Sequence, residues 1–309
     1  MLSNLFIIGN GFDISHGIPS SYNDFREYLI MTYPEANHDE LIVPEPHLAH
    51  NDSYFFDENE VAGFVIYILD QAEGEDWKDV ETSMGNLDFT EYFDQFEQDY
   101  DESSDYEWRQ AADKEDLANN LIVPTSKIKE LFSEWINTIC LDNVCENEDF
   151  SSFFENPIDI LSFNYTETIE QVYGVQDVCH IHGMQGEELL FGHGDDTDHS
   201  DYYMIRQLGA QDVLSDIDRK LKKETWKALS SNAYFFNGLL EKNVSDIYSH
   251  GFSFSSVDRI YLKKIFEIID TCNITWYFND YDSKTKINDY ENILKELNFK
   301  GQFLTYHIN

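Results

Sequence analysis

Positions 5–8, "LFII", are apolar without a break, and the run stops at Gly9. An unbroken apolar run that ends at a turn fits a strand buried on both faces, so a strand is expected over residues 4–9. The period then changes. Ser21 and Asp24 have capping-box spacing, and Tyr22, Phe25 and Leu29 fall on one helical face, which predicts a helix from about Ser21.

After Pro157 the same strand–turn–helix rhythm returns. "IDILSFN" reads as a strand ending at Asn164, and "TETIEQVYG" as a short helix capped by Thr166 and stopped by Gly174. "DVCHIHG" reads as a strand running to Gly183, and "ELLFGHGDD" as another apolar strip ending in a Gly-His-Gly turn. Residues 214–242 are helical in pattern. "SDIYSHG" is a strand followed by a helix capped from Ser255, "ITWYFNDY" a strand followed by a helix near 287–297, and "QFLTYHI" a last strand. Strands alternating with helices predict an α/β, Rossmann-like fold, with a mostly parallel sheet covered by helices on both faces. Ligands of such sheets bind beyond the carboxyl ends of the strands.

Residues 34–150 interrupt this rhythm. Between Asp70 and Asn120 there are 18 acidic residues and three basic ones, Lys78, Arg109 and Lys114, interleaved with aromatics. Ile128, Leu131, Phe132, Trp135 and Ile139 keep helical spacing, which predicts a helix over 126–141. The expected organisation is a nucleotide-binding domain of residues 1–33 and 151–309, with a large acidic, mainly helical insertion at 34–150.

Charge narrows the function. Sixty acidic against 20 basic residues give a net charge of −40. Such a surface repels phosphate backbones, so no direct nucleic-acid binding is expected. No stretch approaches about 18 uninterrupted apolar residues, and "MLSNLF" has no basic n-region, so a cytoplasmic protein with no membrane partner is expected. Cys140, Cys145, Cys179 and Cys272 form no Cys-x-x-Cys pair, and no metal centre is expected from them.

Candidate chemistry sits at the predicted strand ends. Gly9, Asn10, Gly11, Phe12 and Asp13 follow the first strand. Asn164 follows "ILSF", His182 follows "VCHI", and His250, Gly251 and Ser253 follow "DIYS". In one parallel sheet these ends face a common crevice. Ser255 and Asp258 have capping-box spacing, which leaves Asp258 open between a cap and a ligand contact.

"FIIGNGFD", "GIPSSYNDF", "WKDVE", "ILSFNYTETIE", "HIHG", "FGHG" and "HGFSFSSVD" occur in an order that resembles the AbiH family of bacterial abortive-infection proteins and span nearly the whole chain. AbiH proteins are in turn similar, distantly, to sirtuin-like NAD-binding domains of phage defence. That resemblance implies an NAD-type pocket and hydrolysis of NAD. It points to Gly9 to Gly11 for the diphosphate, and to Asn164 and His182 as the catalytic pair. Two positions depart from the sirtuin pattern: "FD" follows the glycine turn, and Thr166 stands where an Asp is usual. Without paired cysteines, protein deacetylation is not expected.

In such a site Asn164 would orient ribose or water and His182 would act as general base. Asp13, His250, Gly251, Ser253 and Asp258 would contact the nucleotide. The expected partners are NAD or a related nucleotide, a defence protein or phage trigger, and a second copy of the chain. Two other readings stay open. One is a metal-dependent hydrolase using His180 and His182, with His193, Asp195 and Asp196 nearby. The other is a non-catalytic nucleotide sensor or partner-dependent toxin.

Overall fold

The computed structural model describes residues 2–50, 52–96, 106–155, 157–197 and 199–308. Residues 97–105 of the acidic stretch lie outside the described residues. The chain divides into two compact units. One comprises residues 1–21, 136–190 and 224–309, and the other 22–135 and 191–223.

The first unit is built on a six-stranded sheet: β1 (Leu2–Ile8), β2 (Ile158–Ser162), β3 (Val178–His180), β4 (Asn243–His250), β5 (Thr275–Asn279) and β6 (Gln302–Tyr306). The spatial order is β3-β2-β1-β4-β5-β6, and every neighbouring pair is parallel. The order therefore reverses between β1 and β4, as in a Rossmann sheet. Leu5, Phe6, Ile7 and Ile8 are all fully buried, because both faces are covered. On one face Leu5, Ile7, Leu161 and Trp276 pack against Phe236, Tyr261, Leu262, Ile265 and Leu294 of the helices Ala233–Leu240, Arg259–Ile268 and Lys284–Glu296. On the other, Phe6, Ile8 and Ile160 meet Phe12, Phe150 and Ile169.

The second unit is mainly helical. Its helix Glu58–Glu73 buries nine consecutive residues, Val61–Leu69. The helix Tyr22–Thr32, expected with the sheet, packs here instead. Arg26 forms a bidentate pair with Asp70, Trp77 Nε1 donates to Asp70 at 2.8 Å, and Phe25 stacks on Trp135. Residues 191–223 belong to this unit as well: Phe191 stacks on Phe132 at 3.7 Å, and Lys223 pairs with Glu81 in the interior at 2.7 Å. The expected boundaries at 33/34 and 150/151 followed composition. The compact units instead follow these aromatic and ionic contacts, which join segments distant in sequence.

Several local expectations change. The helix expected at 126–141 is the end of a longer one, Tyr106–Thr138, which carries Pro124 inside it. "ELLFGHG" forms no regular strand. Only an isolated bridge between His193 and Lys222 remains, with Gly192 at φ +155°, where a Cβ would stand 2.2 Å from the Leu221 carbonyl oxygen. β3 stops at His180, and Ile181 and His182 already lie in a turn.

Candidate functional site

In the sheet register Ile8 pairs with Ser162 and with His250, and Ser162 with His180. The chain segments leaving these four strand ends therefore begin at one level. They carry almost every residue singled out in the sequence.

The glycine turn serves packing. A Cβ on Gly9 would stand 2.6 Å from the Gly251 carbonyl oxygen, and one on Gly11 would stand 2.5 Å from the Gly251 Cα. Gly251 itself sits at φ +61°, where glycine is favoured. Gly9 N–H donates to the His250 carbonyl, and Gly11 N–H to the Gly251 carbonyl, both at 3.0 Å. The Phe12 N–H returns to the Gly9 carbonyl. Of the N–H groups expected to receive a diphosphate, those of Gly9 and Gly11 are thus engaged within the protein. Asn10 is tied as well: its amide donates to the Ser20 carbonyl, and Ser20 Oγ donates back to its Oδ1, each at 2.7 Å. Phe12 is buried among Phe150, Tyr173, His16 and His250.

Asp13 and Asn164 lie side by side beyond β1 and β2, 1% and 4% exposed. Asp13 Oδ2 accepts a 2.6 Å hydrogen bond from Thr166 Oγ1, which also contacts Thr168 Oγ1 at 2.9 Å. Thr166 was expected to cap the helix Thr168–Tyr173. That helix instead begins after Glu167 without a side-chain cap, and the Thr166 hydroxyl is turned to Asp13. Burial raises the Asp13 pKa, while the Thr166 and Thr168 hydroxyls and the Asn164 amide oppose that rise. Asp13 Oδ1 and Asn164 Oδ1 are buried without a partner at full hydrogen-bond geometry.

The two histidines of "HIHG" part company. His180 Nδ1 meets the Asn164 carbonyl at 3.0 Å, and its Nε2 meets Glu170 at 2.8 Å. Burial pulls the His180 pKa down, but Glu170, the Asn164 carbonyl and Asp13 together lift it above its ordinary value. His182 is carried by the turn to Tyr261 and Asp258. Its Nε2 lies 3.2 Å from the Tyr261 hydroxyl and 3.4 Å from Asp258 Oδ1. Ser255 Oγ donates to Asp258 Oδ2 at 2.8 Å and caps no helix. The Ser255–Asp258 spacing thus marks neither a capping box nor an outward-facing ligand group, but a carboxylate set against His182. Ser253 is exposed.

His250 lies edge-on to Phe150 and Phe12, with the Tyr306 hydroxyl 3.4 Å from its Nδ1. Burial, followed by the charge of His16, lowers its pKa to about 4.

His180 and His182 do not share a ligand sphere, because one faces Glu170 and the other Asp258. In the second unit His193 has both ring nitrogens engaged: Nε2 with the Asp218 carbonyl at 2.8 Å, and Nδ1 accepting from the Asp195 N–H at 3.2 Å. Among the described residues no three His, Cys, Asp or Glu side chains are grouped so as to hold a metal ion.

Sequence reasoning missed Tyr261, Glu170 and Asn279. Asn279 ends β5 as Asn164 follows β2, so the same signal, a polar amide closing an apolar strand, was present. It is 5% exposed, and its Oδ1 accepts from the Tyr281 N–H at 2.8 Å. Two open grooves of about 410 and 330 Å³ both border Ile158, at the amino end of β2. They lie away from the strand-end chemistry.

The family model for bacteriophage abortive infection AbiH matches residues 5–280. This chain belongs to the AbiH family. Its role is accordingly in abortive infection by bacteriophage. The match takes in β1 from Leu5 onward, β2 to β5 and every strand-end residue described above, and leaves the helix Lys284–Glu296 and β6 outside. No curated protein and no solved structure matches the chain. Among the described residues no helix of this AbiH protein is long and apolar enough to cross a membrane.

Proposed function

We propose that this AbiH protein acts in abortive infection by hydrolysing the nicotinamide–ribose bond of NAD or a related dinucleotide at the β1–β4 strand ends. The observation that carries the reading is the Asn164 side chain. It is buried just past the end of β2, the strand beside β1, with its side-chain Oδ1 without a partner. A buried acceptor without a partner is destabilising, and completion by a bound substrate or water is one reason for such a group to be retained.

Chemically, water attacks the ribose C1′, and nicotinamide departs with the electron pair of the broken C–N bond. His182 takes the proton of the attacking water, and ADP-ribose and nicotinamide are the products. Asp258 supports His182 as it becomes positively charged, in the way that a carboxylate orients a catalytic imidazole. Asn164 Oδ1 holds the ribose or the water.

Incubation with NAD and chromatography of nicotinamide test the reading. Wild type should release nicotinamide. His182→Ala should lose about 10²- to 10⁴-fold in rate while remaining folded. His180→Ala should act mainly through stability, since His180 holds the Asn164 carbonyl and Glu170. Absence of nicotinamide release by folded wild type, from either NAD or NADP, overturns it.

One observation favours a second reading, a partner-dependent toxin that takes no nucleotide at the glycine turn. The Gly9 and Gly11 N–H groups that would hold a diphosphate are engaged internally. Absence of nucleotide binding by the folded protein would select that reading.

A further inference from the structure

We infer that β6 is the edge through which two copies of this chain pair, antiparallel and centred on Leu304, joining their six-stranded sheets into one. The inference is independent of the hydrolase reading.

The outer side of β6 follows from its bonds to β5. Gln302 N–H donates to the Ile274 carbonyl, and the Tyr306 carbonyl accepts from the Asp280 N–H, both at 3.0 Å. The even-numbered residues of β6 therefore bond to β5, and by alternation Phe303 and Thr305 turn their N–H and C=O groups outward. Among the described residues no strand lies beyond β6 to receive them, and Gln302, Leu304 and Thr305 are exposed.

The two edges of the sheet are built differently. β3 has three residues, and so short a strand offers little to pair with. β6 has five, Gln-Phe-Leu-Thr-Tyr, rich in strand formers and without the charge, proline or bulge that keeps an edge from pairing. In a chain of net charge −40 two copies repel over most of their surfaces, and an uncharged strip is where they approach.

A twofold axis at Leu304 sets Phe303 of each copy opposite Thr305 of the other, so the outward groups of both residues exchange hydrogen bonds. Leu304, 51% exposed, then faces its own counterpart in a non-hydrogen-bonded pair, where side chains approach most closely. The flanks are complementary as well. Lys300, just before the strand, comes beside the far end of the other copy's strand, where Asp280 lies 2.9 Å from His307. The strands of the two copies run oppositely, so their carboxyl-end crevices open in opposite directions.

Light-scattering chromatography of the full chain should give twice its 36.2 kDa mass. Leu304→Lys sets like charges directly opposite each other, and Thr305→Pro removes an outward N–H while leaving the bonds to β5 intact. Each should halve that mass and keep the circular dichroism of wild type. A cross-link reads the register. With the exposed cysteines replaced (Cys140→Ser, Cys145→Ser, Cys272→Ser), Leu304→Cys should form an intermolecular disulfide under mild oxidation. The opposed Cα atoms of such a pair lie about 4.5 Å apart, within disulfide reach. Thr305→Cys, opposite Phe303, should not cross-link. A monomeric wild type overturns the inference, including the case in which β6 takes a peptide of another protein instead. So does a dimer that survives both β6 substitutions, or one that Thr305→Cys links as readily as Leu304→Cys.

Discussion

His250 gives a prediction whose size follows from the structure. Its ring is buried edge-on to two phenylalanines, and its pKa falls from the ordinary 6.5 to about 4. Between those values the unfolded chain binds a proton that the folded chain refuses. The stability contributed by a neutral His250 is therefore present above pH 6.5 and is lost progressively as pH falls to about 4. A displacement of this size corresponds to about 3 kcal/mol in all, and to about 2 kcal/mol between pH 7 and pH 5.

Carboxylates titrate lower in that range, so the test compares variants. His250→Phe keeps the aromatic packing and removes the titration, giving up only a 3.4 Å contact to Tyr306. Urea unfolding at pH 7 should place it within about 1 kcal/mol of wild type, in the range of a volume-conserving core exchange. By pH 5 the variant should have gained about 2 kcal/mol on wild type. If the two unfolding free energies run parallel from pH 7 to pH 5, His250 is protonated in the folded state and the account of its burial is wrong.

Gly11→Ala should destabilise the protein by about 1–3 kcal/mol or prevent folding, because the new Cβ meets backbone at Gly251 rather than a side chain that can move. A thermal midpoint equal to wild type would return the glycine turn to a role in ligand approach. Lys223→Met should cost about 3–5 kcal/mol by leaving the Glu81 charge in the interior, and adding Glu81→Leu should recover much of that loss. A loss in the double variant equal to the sum of the two single losses, measured by denaturant titration, would show that the pair contributes nothing as a pair.

The sequence by itself determined the alternation of strands and helices, the double-sided burial of β1, and the strand-end placement of Asn164 and Asp13. Those features are local: an unbroken apolar run needs cover on both faces, and polar residues that close such runs emerge together in a parallel sheet. Tertiary structure decided what those residues meet. The glycines of residues 9–11 read as a ligand loop because positive φ, close backbone approach and phosphate contact all call for glycine. Only the arrival of Gly251 selects packing. Thr166 read as a helix cap, and Asp258 as either a cap or a ligand contact, because capping is a short-range pattern. Their partners, Asp13 and His182, lie 153 and 76 residues away. His180 and His182 read as one face of a strand because spacing alone cannot show that the strand stops at His180 and the next two residues turn. The unit boundaries likewise followed charge in the sequence. In the protein they follow Arg26 with Asp70 and Lys223 with Glu81, contacts whose chain separation leaves no local trace.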